Sequence, residues 1–223
     1  MVYPKSDTVK RAYDSSRRRE QARQTRRTIL KAAHDLFVDR GYGRTTIADI
    51  AGAAGVSAET IYATYKNKAT LLHHVWDVTV GGDDEEVVFH ERPEVMAMRA
   101  EPELARRLTM QAAWSTQTAR RMTPFARALE GAAASEPAAA EMLAEMNRQR
   151  YEGIGVMARE AAATGQLKVS EQECRDFVWA MTDGHLWHQL VIERGWSDER
   201  FAEWLGELWV AALVRPGSKP KRG

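Results

Sequence analysis

Cysteine occurs once in the 223 residues, at position 174. That excludes an intramolecular disulfide and a multi-cysteine metal site, and it fits a reducing cytoplasm. Long hydrophobic runs are missing too. None approaches the roughly 20 apolar residues needed to cross a bilayer, so no membrane partner is expected. The basic, polar N-terminus lacks the apolar segment of a secretory signal. No segment alternates apolar and polar residues between hairpin turns, as a strand would. G-x-S-x-G, a glycine-rich phosphate loop and H-E-x-x-H are all absent, so no catalytic residues and no cofactor are assigned. His185 and His188 stand three apart beside Asp183, a spacing able to chelate a metal. No third or fourth ligand can be identified, and no metal is assigned.

What is present is a chain with 44% hydrophobic and 28% charged residues, enough to bury a substantial core. Its net charge of +1 conceals an asymmetry. Residues 1–80 carry 14 Lys/Arg against 8 Asp/Glu, whereas residues 81–223 carry 18 against 23. The excess lies mostly before Ala32, in a run that includes Arg17, Arg18, Arg19 and Arg23. A basic head on an acidic body suggests that one end meets a polyanion; a solvated tail that keeps the protein soluble has the same composition.

Apolar periodicity is helical throughout. Residues 1–22 lack it and read as a flexible basic arm. From Thr25, the residues Ile29, Leu30, Ala33, Leu36 and Phe37 recur at three- and four-residue steps, up to a stop near Gly41. Gly81-Gly82 followed by four acidic residues reads as a boundary, with a first domain over 23–82 and a second over 83–215. In the second, helices are expected at about 102–120, 124–134, 137–163, 171–194 and 198–214. Pro93, Pro102, Pro124 and Pro137 stand near their starts. Residues 216–223 read as a disordered tail. The predicted fold class is all-α.

One stretch carries more information than the rest: TTIADIAGAAGVSAETIYATYKNK, Thr45 to Lys68. Thr46 can cap a short helix bearing Ile47, Ile50, Ala51 and Ala54 on one face. Gly55 allows a sharp turn, Val56 plugs the corner, and Ser57 can cap a second helix. That second helix buries Ile61 and leaves Ala58, Glu59, Thr60, Tyr62, Ala63 and Thr64 outside. Two short helices across a tight turn form a helix-turn-helix, over about 46–65, whose second helix fits a DNA major groove. Lys66 and Lys68 flank the start of the next helix, which Asn67 can cap and whose free N–H groups can hold phosphate.

The block TRRTILKAAHDLFVDRGYGRTTIADIAGAAGVSAETIYATYKNKATLL resembles the DNA-binding domain of TetR-family transcriptional regulators, over roughly Thr25 to Val80. The resemblance implies a three-helix DNA-binding domain followed by a larger helical ligand-binding and dimerisation domain. It implies a homodimer that binds double-stranded operator DNA and is released by a small, largely apolar or aromatic effector. The DNA-contacting set it implies is Arg27, Thr45, Thr46, Ser57, Ala58, Glu59, Thr60, Tyr62, Thr64, Tyr65, Lys66 and Lys68, with Thr46 and Lys68 at phosphates. Tyr65 is expected to bury its ring and send its hydroxyl outward. Glu59 departs from the small residue common in the family. It can accept from cytosine N4, or simply favour the first turn of the helix dipole.

In the body, Met110, Trp114, Phe125, Met146, Arg150, Trp179 and Asp183 are candidates for an effector pocket: methionine and tryptophan suit an adaptable apolar cavity, and a few polar groups can orient a ligand. Plain core residues have the same composition. The resemblance implies that Leu186, Leu190, Phe201, Trp204, Leu205, Leu208 and Trp209 form a dimer interface; plain core helices carry the same wide apolar surface. A body that only dimerises or binds another protein is the alternative to effector control.

Overall fold

Between Asp7 and Arg40 the chain has neither glycine nor proline, and the computed structural model forms one helix there, α1 (Asp7–Arg40). The structure describes residues 7–81 and 93–217. Residues 7–22, expected to be an arm without regular structure, are therefore helical. Their sequence lacks a periodic apolar pattern, but nothing in it interrupts the i to i−4 ladder. Residues 1–6 of the expected arm and 218–223 of the expected tail lie outside the described residues, as does most of the expected boundary at Gly81–Glu86.

Three short elements follow: α2 (Ile47–Ala54), α3 (Ala58–Tyr65) and α4 (Lys68–Gly81). The chain divides into two units at Val78–Thr79, inside the last part of α4. In the first unit Ile29, Phe37, Ile50, Ile61, Leu71 and Leu72 form the buried centre. Its corners are closed by local side chains. Thr46 and Asp49 make a reciprocal capping box on α2. Gly55 takes the left-handed conformation, φ 66 and ψ 32, that ends α2 and turns the chain into α3. The Ser57 hydroxyl accepts from the Thr60 N–H, and Asn67 Oδ1 accepts from the Thr70 N–H at 2.8 Å.

The second unit contains α5 (Pro93–Ala100), α6 (Leu104–Glu130), α7 (Pro137–Ala163), α8 (Glu171–Met181), α9 (His185–Trp187) with a π-helical turn over His188–Glu193, and α10 (Asp198–Leu213). Its core joins Leu104, Leu108 and Ala112 of α6 to Phe201, Leu205 and Trp209 of α10, with α7 and α8 packed beside them. Cys174 belongs to this core, and burial pushes its thiol up to about 11. Gln166 ties the unit across the chain: its Oε1 accepts from the Leu104 N–H and its Nε2 donates to the Pro102 carbonyl.

Two helix boundaries differ from expectation. Pro124 was expected to open a helix, yet α6 runs through it. An interior proline costs about 3 kcal/mol, and the residues on either side of it, Thr123 and Phe125, are buried. The single helix expected over 171–194 is broken at Thr182–Gly184. Gly184 has φ 93, and a Cβ there would lie 2.4 Å from Thr123 Oγ1 of α6. The chain thus bends where only glycine fits, and Asp183 Oδ1 accepts from the His185 N–H at 2.9 Å. Among the described residues no helix is long and apolar enough to cross a membrane.

Candidate nucleic-acid interface

The outer surface of α3 is built from the residues on either side of Ile61. Ile61 is buried, while Glu59, Tyr62, Ala63 and Thr64 are exposed and Ala58 and Thr60 are half-buried. Tyr62 is the large aromatic of this strip, 51% exposed. The Glu59 carboxylate sits below the usual glutamate range because its own backbone N–H and the Ser57 hydroxyl hold it. This is the geometry of a first-turn charge at a helix N-terminus.

At the start of α2, Thr46 is exposed but its hydroxyl is engaged: Thr46 Oγ1 donates to Asp49 Oδ2 at 2.6 Å, and the Thr46 N–H donates to the same oxygen at 2.9 Å. These bonds lower the Asp49 pKa, the side-chain bond most, with a smaller contribution from the Arg40 charge. Arg27 is exposed on α1, where it lines an open depression with Gln24, Lys31 and Ala53.

Three expected contact residues point elsewhere. Thr45 is 1% exposed, and its hydroxyl lies 2.9 Å from the Gly41 carbonyl and 3.1 Å from that of Leu36. It closes the α1–α2 turn and cannot touch DNA. Tyr65 is likewise 1% exposed, hydroxyl included, and that oxygen has no hydrogen-bond partner. Burial raises its pKa, opposed by the charge of Arg26, so the expected outward hydroxyl is not there. Its position four residues after buried Ile61 is the signal that it shares the core face.

Lys68, expected at a phosphate, turns inward. Its Nζ donates to the Tyr42 carbonyl at 3.0 Å and the Thr45 carbonyl at 3.2 Å, and it stands 4.1 Å from the Tyr42 ring centroid. Lys66 is exposed instead. Its backbone has φ 63 and ψ −46, and the Asn67 N–H donates to the Tyr65 carbonyl at 2.6 Å. This is a γ-turn in its rare positive-φ form, a conformation that costs a non-glycine residue about 1–3 kcal/mol.

In the second unit, three of the candidate pocket residues come together. Arg150 Nη1 donates to the Trp179 carbonyl and to Thr182 Oγ1, and the guanidinium lies 4.9 Å from the Trp179 ring centroid. Burial lowers the Arg150 pKa, and the nearby charge of Asp183 opposes that shift. Trp179 is 37% exposed and meets Tyr151 edge-on. Met146 is half-buried on α7, Met110 is exposed on α6, Trp114 is half-buried and Phe125 fully buried.

The expected dimer surface needs a larger correction. Phe201, Leu205 and Trp209 are buried within their own chain, against α6, and cannot supply a surface to a partner. Leu186, Leu190, Trp204 and Leu208 remain half-buried. Among the described residues no three His, Cys, Asp or Glu side chains gather as metal ligands. His185 lies 3.4 Å from Asp183, and His188 lies 3.5 Å from Glu193.

Comparison with known proteins agrees with this geometry. Residues 29–75 match the family model described as bacterial regulatory proteins, tetR family. The transcriptional regulator TtgR of Pseudomonas putida is 46% identical over 61 residues, which are 27% of this chain and 29% of TtgR. AcrR of Shigella flexneri is 36% identical over 61 residues, 27% of this chain and 28% of AcrR. The matches thus span less than a third of these relatives. Among solved structures, NalD, the secondary repressor of the MexAB-OprM multidrug efflux pump in Pseudomonas aeruginosa, superposes with a TM-score of 0.61 at 21% identity, covering 87% of this chain and 99% of NalD. The SmeT–triclosan complex superposes at 0.62 and 21% identity, covering 89% of this chain and 96% of SmeT. Residues 29–75 thus form a regulatory domain of the tetR family, and the chain beyond it shares the all-α fold of these solved structures.

Proposed function

We propose that this protein is a sequence-specific DNA-binding transcriptional regulator that acts as a homodimer, most simply a repressor released from its operator by a small molecule. The observation that carries the reading is the exposed strip of α3, with Tyr62 and Lys66 at its rim, on a scaffold capped at every corner. Glu59, Tyr62 and Thr64 offer polar atoms to base edges, and Ala58 and Ala63 offer only apolar contact, as to a thymine methyl. Direct base reading is therefore sparse. Phosphate contacts from Lys66, Arg27 and the basic face of α1 supply most of the affinity.

An eight-residue helix reads too few bases alone. Two copies about 34–36 Å apart meet successive major-groove half-sites, which is the physical need for a dimer. Leu186, Leu190, Trp204 and Leu208 are the apolar side chains left for that contact. Effector control is supported by the Arg150–Trp179 cluster and by the fold shared with the SmeT–triclosan complex. A tenfold to hundredfold release needs only about 1.4–2.7 kcal/mol of differential effector binding. Operator DNA weakens effector binding by the same factor.

The test is selection of bound duplexes from a random pool, with and without a metabolite extract. The expected product is a pseudo-palindrome with two half-sites, and its retention falls when extract is added. A protein that stays monomeric at working concentrations, or retains no duplex at low ionic strength, sinks the reading.

A further inference from the structure

The ammonium of Lys68 has three N–H donors. Two reach the Tyr42 and Thr45 carbonyls, and the Tyr42 ring lies against the charge. Tyr42 is buried, and the Thr45 hydroxyl closes the same turn onto Leu36 and Gly41. Lys68 is also the first residue of α4, directly after the strained γ-turn at Lys66. A strained joint persists only where its surroundings over-determine it. Here Asn67 fixes α4 through Thr70, and Lys68 fixes α4 to the turn that leads into Thr46.

We propose that Lys68 is a positioning residue: its side chain clamps the start of α4 to the α1–α2 turn, setting where the α2 N-terminus and α3 meet DNA, while Lys66 takes the phosphate. The clamp joins residues 23 and 26 positions apart, so it fixes two corners of the domain with one charge. Moving Nζ to a phosphate would strip the Tyr42 and Thr45 carbonyls of a partner, and both of those residues are buried. This inference rests on the DNA-binding reading for its consequence, and on side-chain geometry alone for the clamp itself.

The first measurement uses the unmodified full-length protein. Its lysines are acetylated with an amine-reactive ester and read by mass spectrometry, free and with a mixed-sequence duplex long enough for two half-sites. Lys66 is expected to label readily in the free protein and to be protected by DNA, and Lys68 to label slowly in both states. Equal labelling of the two lysines in the free protein overturns the clamp.

The second measurement is binding to the same duplex across a salt series, at a temperature where circular dichroism finds every variant folded. Lys68→Met is expected to lose about tenfold in affinity, with the log–log salt slope unchanged. Lys66→Ala is expected to lose about 0.9 of slope, the value for one phosphate contact. Lys68→Arg keeps the charge, but its planar fork cannot aim at both carbonyls and the ring, so it does not restore affinity. Unchanged affinity in Lys68→Met, a slope loss of about 0.9 in that variant, or full rescue by Arg each overturns the proposal. If Lys68→Met does not fold, labelling and Lys68→Arg decide the matter. If the unmodified protein ignores the duplex at low ionic strength, the DNA-binding reading fails, and free-protein labelling still judges the clamp.

Discussion

The two units hold their shape by different means. In the first, the bonds that close corners run three or four residues: Thr46 with Asp49, Ser57 with Thr60, Asn67 with Thr70. The clamp of Lys68 and the bond from Thr45 to Leu36 across nine residues are longer. In the second, the side chains that fix the helices reach far: Arg99 to Glu160 across 61 residues, Gln166 to Leu104 across 62, Arg120 to Asp198 across 78. A domain closed locally keeps its corners with little loop-closure entropy to overcome. One closed by long-range bonds depends on its core being in place first. The difference also fits where relatives match. The corner residues of the first unit form a short pattern, whereas those of the second are scattered along the chain.

The largest expected effect breaks the long-range side of this comparison. Trp209 is 0% exposed between α10 and α6. Trp209→Ala is expected to lose about 3–5 kcal/mol of stability by urea unfolding, the usual cost of truncating a buried aromatic. A loss below about 1 kcal/mol would mean that the core lies elsewhere. Next is Gln166→Ala, which strips both the Leu104 N–H and the Pro102 carbonyl of their partner. About 1–3 kcal/mol is expected, and an exposed surface residue would show nearly none.

In the first unit, Gly55→Ala forces a side chain into φ 66 and is expected to cost about 1–2 kcal/mol. An unchanged melting temperature would show that the corner accepts another conformation.

The smallest effect tests whether one local device behaves alike in both units. Hydrogen bonds from Thr46 hold the Asp49 carboxyl below its ordinary 3.8, and Ser170 holds Glu173 below 4.5. Their folded values lie under their unfolded ones. Their stabilising contribution is therefore complete above the ordinary value and shrinks as pH falls through the lower folded value. Amide protection factors at the starts of α2 and α8, corrected for the intrinsic exchange rate at each pH, should fall together as pH drops below about 4.5. A fall at only one of them would separate the two boxes.

Much of the first unit was readable in advance because its signals are short: glycine after a helix, a hydroxyl before one, apolar residues at three-four spacing. The side chains misread there share one cause. Thr45, Tyr65 and Lys68 are polar and sit beside exposed residues, and only the neighbouring helix decides that they face inward. In the body the apolar residues of α10 fill two adjacent faces. Phe201, Leu205 and Trp209 lie on one and Trp204 and Leu208 on the next, and periodicity alone does not say which meets α6. The Thr182-Asp183-Gly184 break was written in turn residues, but the apolar pattern around it continued as one helix. Pro124 misled in the opposite sense, because the helix runs on past it with Thr123 and Phe125 buried on either side.

The helix ends and capped corners between Thr46 and Asn67 are properties of residues within one turn of each other, and the amino-acid order alone determined them. Which face of each helix is core, where Lys68 spends its charge and which aromatics remain at the surface were decided only when distant segments packed. Those choices depend on which partner surface removes a side chain from water, and no local stretch contains its partner.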